Sequence, residues 1–135
     1  MLKRRILLAE DDEDDRHFFQ SFLQTRDDVI LLPIAENGVI LVEQLMDIND
    51  SNELPDIIIL DQNMPKRNGL QTLELLKEDK RFSHIPVVIY STYTDKQLIE
   101  TCTEAGASAV VPKPITQNGY EEMIDTCLRL AAGHS

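Results

Sequence analysis

Two short segments of the chain are apolar without interruption, and they restrict the fold more than any other feature. Residues 57–60 are Ile-Ile-Ile-Leu and residues 87–89 are Val-Val-Ile. A strand with one face in water alternates apolar and polar residues, whereas a strand buried on both faces does not. The two segments therefore predict strands inside a parallel sheet that helices cover on both faces.

Three further apolar runs complete a set of five predicted strands, each rich in Ile, Val or Leu and bounded by turn or charged residues. The five strands are predicted at residues 5–9, 29–35, 56–60, 86–90 and 109–111. The stretches between and after them carry apolar residues at helical spacing, as in Met123, Ile124 and Cys127. This alternation predicts right-handed crossovers and a doubly wound (βα)5 α/β fold, a three-layer sandwich.

The size and charge of the chain limit what it binds. Its 135 residues fit one compact domain, residues 1–135, which must hold the whole function. Its formal charge of −11 repels the phosphates of nucleic acids and anionic lipid headgroups. No apolar run approaches the roughly 20 residues that span a bilayer, and the N-terminus turns acidic too soon for a signal peptide. We therefore expect a cytoplasmic protein that contacts neither nucleic acid nor membrane.

The two cysteines are predicted to be buried spectators. Cys102 and Cys127 lie within apolar helical patterns and have no CxxC spacing. This pattern favours packed thiols over a disulfide or a metal site.

Polar residues suited to phosphoryl chemistry follow four of the five predicted strands. Glu10 and Asp11 follow the first, Asp61 the third, Ser91 the fourth and Lys113 the fifth. The carboxyl ends of parallel strands share one edge of the sheet, so we expect these side chains to meet there. In that setting Asp61 is a candidate nucleophile toward phosphorus.

The clustered carboxylates predict a magnesium site. Glu10, Asp11 and Asp61 would repel one another and an incoming phosphoryl group, by about 4 kcal/mol for each pair of unit charges in contact at an effective dielectric of about 20. A bound dication removes most of this cost. Mg²⁺ prefers carboxylate oxygens, waters and a phosphate oxygen, which these three residues and the substrate would offer.

Ser91 and Lys113 are predicted to contact the phosphoryl oxygens on the side away from the metal. A serine hydroxyl and a lysine ammonium are hydrogen-bond donors to the charge that develops on those oxygens. Because Lys113 precedes Pro114, a cis peptide bond between them would turn the lysine inward at the strand end. A cis bond at this position is therefore a hypothesis, which a trans bond would remove.

Six consecutive acidic residues, 10–15, admit a simpler interpretation as a solvated loop at a helix N-terminus. For residues 12–15 we favour that interpretation. For Glu10 and Asp11, directly after a strand and across the edge from Asp61, the metal role is favoured. The run lacks the spaced acids and the glycine of an EF-hand.

Four segments, in this order and spacing, resemble the receiver domain of two-component response regulators, and the likeness covers essentially the whole chain. They are ILLAEDD, IIILDQNMPKRNG, PVVIYST and GASAVVPKP. The resemblance implies a flavodoxin-like strand order 2-1-3-4-5 and phosphorylation of Asp61. It implies that Glu10, Asp11 and the backbone carbonyl of Asn63 hold Mg²⁺, and that Ser91 and Lys113 contact the phosphoryl group.

The resemblance also implies partners. A sensor histidine kinase or a histidine phosphotransfer protein would donate the phosphoryl group, and an unknown downstream protein would read the result. The chain looks most similar to stand-alone bacterial receivers without an output domain, including those paired with phytochrome-type kinases. Such a protein signals rather than turning over substrate, apart from slow self-dephosphorylation. A homodimer is left open by the sequence.

One position departs from the family pattern. The fifth strand often carries a switching aromatic residue three positions before the lysine, and here that residue is Val110. Coupling through an aromatic side chain at that position is therefore in doubt.

Three other functions compete with this one. An aspartate-nucleophile phosphatase of the haloacid dehalogenase type needs a second acid two residues after the nucleophile, where this chain has Asn63. A flavodoxin-like FMN carrier needs a neutral loop after the first strand, where this chain is strongly acidic. A non-phosphorylated, receiver-like interaction module is the third alternative, although every chemical residue is present.

Overall fold

The computed structural model describes residues 3–133, which form one five-stranded parallel sheet flanked by five helices. The strand order is β2-β1-β3-β4-β5, which confirms the predicted fold and order. The strands are β1 (Arg4–Ala9), β2 (Val29–Leu31), β3 (Ile57–Asp61), β4 (Val87–Ser91) and β5 (Ala109–Pro112).

Each helix begins after a residue whose side chain caps it. The helices are α1 (Glu13–Leu23), α2 (Gly38–Met46), α3 (Gly69–Glu78), α4 (Lys96–Glu104) and α5 (Gln117–Ala132). In every case a side-chain oxygen of the capping residue accepts a hydrogen bond from a backbone N–H in the first turn, which satisfies a donor that the helix leaves free. The capping residues are Asp12, Asn37, Asn68, Asp95 and Thr116.

The uninterrupted apolar strands supply two separate cores. In β3, Ile57 and Ile59 pack with α1 and α5 on one face of the sheet, while Ile58 and Leu60 pack with α2, α3 and α4 on the other. Cys127 lies in the first core and Cys102 in the second, both free and fully buried. The three-layer architecture and the buried thiols are therefore confirmed.

The second strand is shorter than predicted. The apolar run continues to Ala35, but β2 ends at Leu31 and only an isolated bridge joins Ala9 to Ala35. Pro33 lies between these two pairings and has no N–H to donate to a ladder. Between α2 and β3 the chain forms a short 3-10 turn at Ser51–Glu53.

Within the part of the chain that the structure describes, none of the helices has both the length and the apolar character needed to cross a bilayer.

Candidate functional site

The sheet brings the predicted residues to one edge. Asp61 is in register with Tyr90, and Ser91 with Pro112, so the strands β3, β4 and β5 end side by side. Glu10, Asp61 and Ser91 are almost completely buried, with exposures of 0%, 1% and 1%. Polar residues at strand ends usually reach water, so burial of these three marks the edge as a specialised site.

Three carboxylates converge at this edge. Glu10, Asp11 and Asp61 each offer one oxygen, and these oxygens all lie within 4.8 Å of one another. Glu10 and Asp61 are buried, whereas Asp11 is exposed and opens the cluster to solvent. A set of hard oxygen donors with one open side suits a small dication that keeps some of its waters.

Lys113 neutralises part of this charge. Its Nζ lies 3.0 Å from Glu10 Oε1, 3.2 Å from Asp61 Oδ2 and 2.9 Å from Asp15 Oδ2. Burial alone would lower the pKa of Lys113, but hydrogen bonds to Asp15 and Glu10 and the charge of Asp61 raise it overall. An ammonium has three donors, and here three carboxylates lie within 3.2 Å of it.

The pairing of Asp15 corrects the simpler interpretation of residues 12–15. Asp12 does cap α1 as expected, since its Oδ2 accepts a hydrogen bond from the N–H of Asp15 at 2.8 Å. Asp15 itself is not merely solvated, because its side chain contacts Lys113. The sequence offers little to predict this, because the pair brings together residues 98 positions apart.

The expectation of a cis bond between Lys113 and Pro114 is wrong, because this bond is trans. Lys113 reaches the acids without it. Its backbone N–H donates to the carbonyl of Ser91 at 2.9 Å, which extends the pairing of β4 with β5 by one residue. The lysine side chain is long enough to cross the edge from there to Glu10 and Asp61.

Arg16 organises the loop that carries two of the acids. Its guanidinium donates to the backbone carbonyl oxygens of Glu10 at 3.1 Å and Asp11 at 2.9 Å. The sequence interpretation missed this residue. The sequence did offer a signal for this contact. Side chains in the first turns of a helix tilt toward its N-terminus, so Arg16 points back over the loop that precedes α1.

Gly69 lets α3 begin directly against the backbone of Asp61. A Cβ at this position would lie 2.9 Å from the carbonyl oxygen of Asp61, which a real side chain could not occupy without movement. The N–H of Gly69 donates to Gln62 O at 3.1 Å, and the side chain of Gln62 accepts from Leu70 N–H at 2.9 Å. This tight connection fixes the loop that follows Asp61.

The roles of Asn63 and Ser91 stay predictions. The N–H of Asn63 donates to Asp61 Oδ1 at 3.2 Å. The hydroxyl oxygen of Ser91 accepts from the N–H of Tyr93 at 3.3 Å. The Tyr93 side chain is 72% exposed and projects away from the core. Val110, in place of the usual aromatic, is half-buried and packs against the second core.

Tyr90 is a member of the site that the sequence interpretation missed. Its hydroxyl donates a short hydrogen bond to Glu10 Oε1. Burial, together with the negative charge of Glu10, raises the pKa of Tyr90 well above its usual value. The available signal was a tyrosine in an otherwise aliphatic strand, because a buried tyrosine hydroxyl needs a hydrogen-bond partner.

The surroundings of Asp61 oppose its ionisation. Burial raises the pKa of Asp61 to about 8, the hydrogen bond and charge of Glu10 add to this, and Lys113 opposes it. An aspartate in the unfolded chain has a pKa of about 3.9. Between these two values the folded protein binds a proton that the unfolded chain does not, so the free energy of unfolding falls as pH rises.

This shift predicts a pH-dependent effect of Asp61→Asn in metal-free buffer. The asparagine cannot ionise, so the variant should be more stable than the wild type at pH 8, by about 1–3 kcal/mol, with a smaller difference toward pH 4. Urea denaturation with a chelator present, followed by circular dichroism, measures both free energies. A difference that is the same at both pH values would contradict the predicted shift.

Comparison with known proteins supports the resemblance. The family model described as the response regulator receiver domain matches residues 6–125. The chain is 33% identical to chemotaxis protein CheY1 of Helicobacter pylori over 94 residues, which are 70% of this chain and 73% of that protein. It is 29% identical over 127 residues to a protein-glutamate methylesterase/protein-glutamine glutaminase of Trichodesmium erythraeum, covering 93% of this chain but only 34% of that protein.

A solved structure shows the same fold. The Mn²⁺-bound form of the response regulator Rcp1 superimposes with a TM-score of 0.75 and 26% sequence identity. The match covers 91% of this chain and 90% of that structure.

Proposed function

This chain belongs to the response regulator receiver domain family, and from that premise we propose that Asp61 accepts a phosphoryl group from a phosphohistidine donor. CheY-like receiver domains are signalling modules rather than turnover enzymes. The observation that supports the proposal best is the meeting of Glu10, Asp11 and Asp61 at one strand edge with Lys113 against two of them.

A divalent cation, Mg²⁺ in the cell, would be held by Glu10, Asp11, Asp61 and the backbone carbonyl of Asn63. When bound, it would neutralise the carboxylates and the incoming phosphoryl oxygens. The donor chemistry fits, because three carboxylate oxygens lie within 4.8 Å of one another and one side is open. The related regulator Rcp1 has been solved with Mn²⁺ bound, which supports a divalent site of this class.

The proposed transfer forms one bond and breaks one. A carboxylate oxygen of Asp61 attacks phosphorus, the P–N bond of the donor phosphohistidine breaks, and the imidazole leaves with the electron pair. The product is an acyl phosphate on Asp61. The main contribution of the protein is to position the reacting groups and stabilise their charge, because these two effects supply most of the acceleration in phosphoryl transfer.

Lys113 and Ser91 would stabilise the transferred group. Lys113 must release at least one of its three carboxylate partners to meet a phosphoryl oxygen, and Asp61 is the partner whose charge the reaction changes. The Ser91 hydroxyl, buried next to the acids, is free to donate its own proton while its oxygen accepts from Tyr93.

The phosphatase and the interaction module have less support. A phosphatase needs a proton-transferring acid where this chain has Asn63, and an amide cannot take that role. A constitutive interaction module would have no need to bury two carboxylates beside a lysine at one edge, which is costly without a chemical role.

We expect transfer to Asp61 to be measurable as a mass increase. Acetyl phosphate with Mg²⁺ should add one phosphoryl group to the wild type, and none to Asp61→Asn, because the variant has no carboxylate at this position. Intact-protein mass spectrometry checks both. As a matched control, Asp125→Asn removes an exposed carboxylate paired with Arg26 and should be labelled like the wild type. Persistent labelling of Asp61→Asn would overturn the proposal.

The signal would pass to a downstream protein through a change in the edge itself. Replacing the Lys113–Asp61 contact and drawing the Ser91 hydroxyl toward the new group would alter the loop after β4 and the segment after β5. A ligand shifts a conformational equilibrium only through contacts that differ between the two states. In this proposal, the contacts of Lys113 and Ser91 differ between the free and the phosphorylated state.

Beryllofluoride, a stable mimic of the phosphoryl group, should therefore change amide hydrogen exchange with Mg²⁺ present. Besides the loops that hold the ion and the mimic, the change should reach residues 92–96, after β4, and residues 113–118, after β5. Residues 38–46 of α2, which packs mainly on β1 and α3, serve as the internal reference. Identical exchange in both segments with and without beryllofluoride would argue against this route for the signal.

A further inference from the structure

Tyr90 touches two groups of the proposed site, and neither contact belongs to the phosphoryl-transfer roles assigned above. Its hydroxyl donates to Glu10 Oε1, and its ring centroid lies 5.2 Å from Lys113 Nζ. The side chain is 1% exposed and stands next to Ser91 at the end of β4. It thus reaches the acids from the protein interior, opposite the side that Asp11 opens to solvent.

The partners of Glu10 show what the tyrosine hydroxyl does. Glu10 is completely buried. Its Oε2 accepts from the N–H of Asp12 at 3.1 Å, and its Oε1 is shared by Tyr90 and Lys113. A carboxylate has about four acceptor positions, so Glu10 can keep the tyrosine while another lone pair turns to a cation. Tyr90 therefore need not leave when the site is filled.

Tyr90 is also held in place by the core. Its ring packs edge-to-face on Phe19, with the centroids 6.2 Å apart, inside the core formed by α1 and α5. Lys113 is flexible and, in the proposed reaction, changes partners. Glutamate has one more rotatable bond than aspartate, so a buried Glu10 needs a rigid partner to define where its oxygens point.

We propose that Tyr90 is a positioning residue for the divalent cation, whose hydroxyl holds the Glu10 carboxylate in the orientation that binds the ion. This inference rests on the proposed function, because it assumes that Glu10 is a ligand. Hydrogen-bond donors behind a ligand orient it, and their loss typically weakens metal binding by about 10- to 100-fold.

The variant Tyr90→Phe isolates the hydroxyl, because phenylalanine keeps the ring against Phe19 and Lys113. Titration calorimetry with MgCl2 should give a Kd about tenfold higher for this variant than for the wild type. Tyr120→Phe is the matched control: Tyr120 packs in the same core, against Phe19 and Phe22, and its Kd should stay within about twofold of the wild type. An unchanged Kd for Tyr90→Phe would overturn the inference.

A double-mutant cycle separates positioning from general loosening of the core. If Tyr90 acts through Glu10, then Tyr90→Phe should weaken Mg²⁺ binding no further in a Glu10→Gln background. A full additional loss in that background would show that the hydroxyl acts by another route and would overturn the inference.

A measurement on the wild type keeps the inference testable if Tyr90→Phe does not fold. Addition of MgCl2 should move the ring NMR signals of Tyr90 more than those of Tyr120, and unmoved Tyr90 signals would overturn the inference. The proposed function fails separately. A wild type that binds no Mg²⁺ contradicts the proposed function, whereas a wild type and a Tyr90→Phe variant that bind it equally contradict only the role of Tyr90.

Discussion

The structure depends on an imbalance of charge at one edge of its sheet. Glu10 and Asp61 are buried there, Asp11 lies beside them, and Lys113 is the cation in direct contact with the two buried acids. Removing carboxylates from water costs several kcal/mol each unless other charges and donors replace the water. The surroundings of the edge provide such replacements: the ammonium of Lys113, the hydroxyl of Tyr90 and the N–H of Asp12. These groups leave an excess of negative charge at the edge. That charge would attract a dication, which phosphoryl transfer to Asp61 would require.

Most of the fold could be predicted from the sequence, because its main signal is strong and local. The runs at residues 57–60 and 87–89 have no polar positions, so only a sheet covered on both faces accommodates them. The boundaries that differed have physical causes. The second strand stops at Leu31 because Pro33 interrupts the ladder before Ala35. Each helix starts directly after its capping residue. The spacing of apolar residues alone does not locate these starts.

The candidate site could be predicted only in part. Residues that follow strands, such as Asp61 and Lys113, are predictable because parallel strands end at one edge. The contacts of Tyr90 and Asp15 were missed because they join segments 80 and 98 residues apart. The cis bond before Pro114 was wrong because it is not needed. The lysine side chain is long enough to reach Asp61 with a trans bond.

The central claim is that Asp61, and no other carboxylate of the acidic edge, becomes an acyl phosphate. Borohydride reduces an acyl phosphate to an alcohol, so an aspartyl phosphate becomes homoserine at its own position in the chain. After incubation with acetyl phosphate and Mg²⁺, reduction and peptide mapping by mass spectrometry should find homoserine at position 61, and none when the metal is chelated. Homoserine at position 11, or at no position with Mg²⁺ present, would contradict the account.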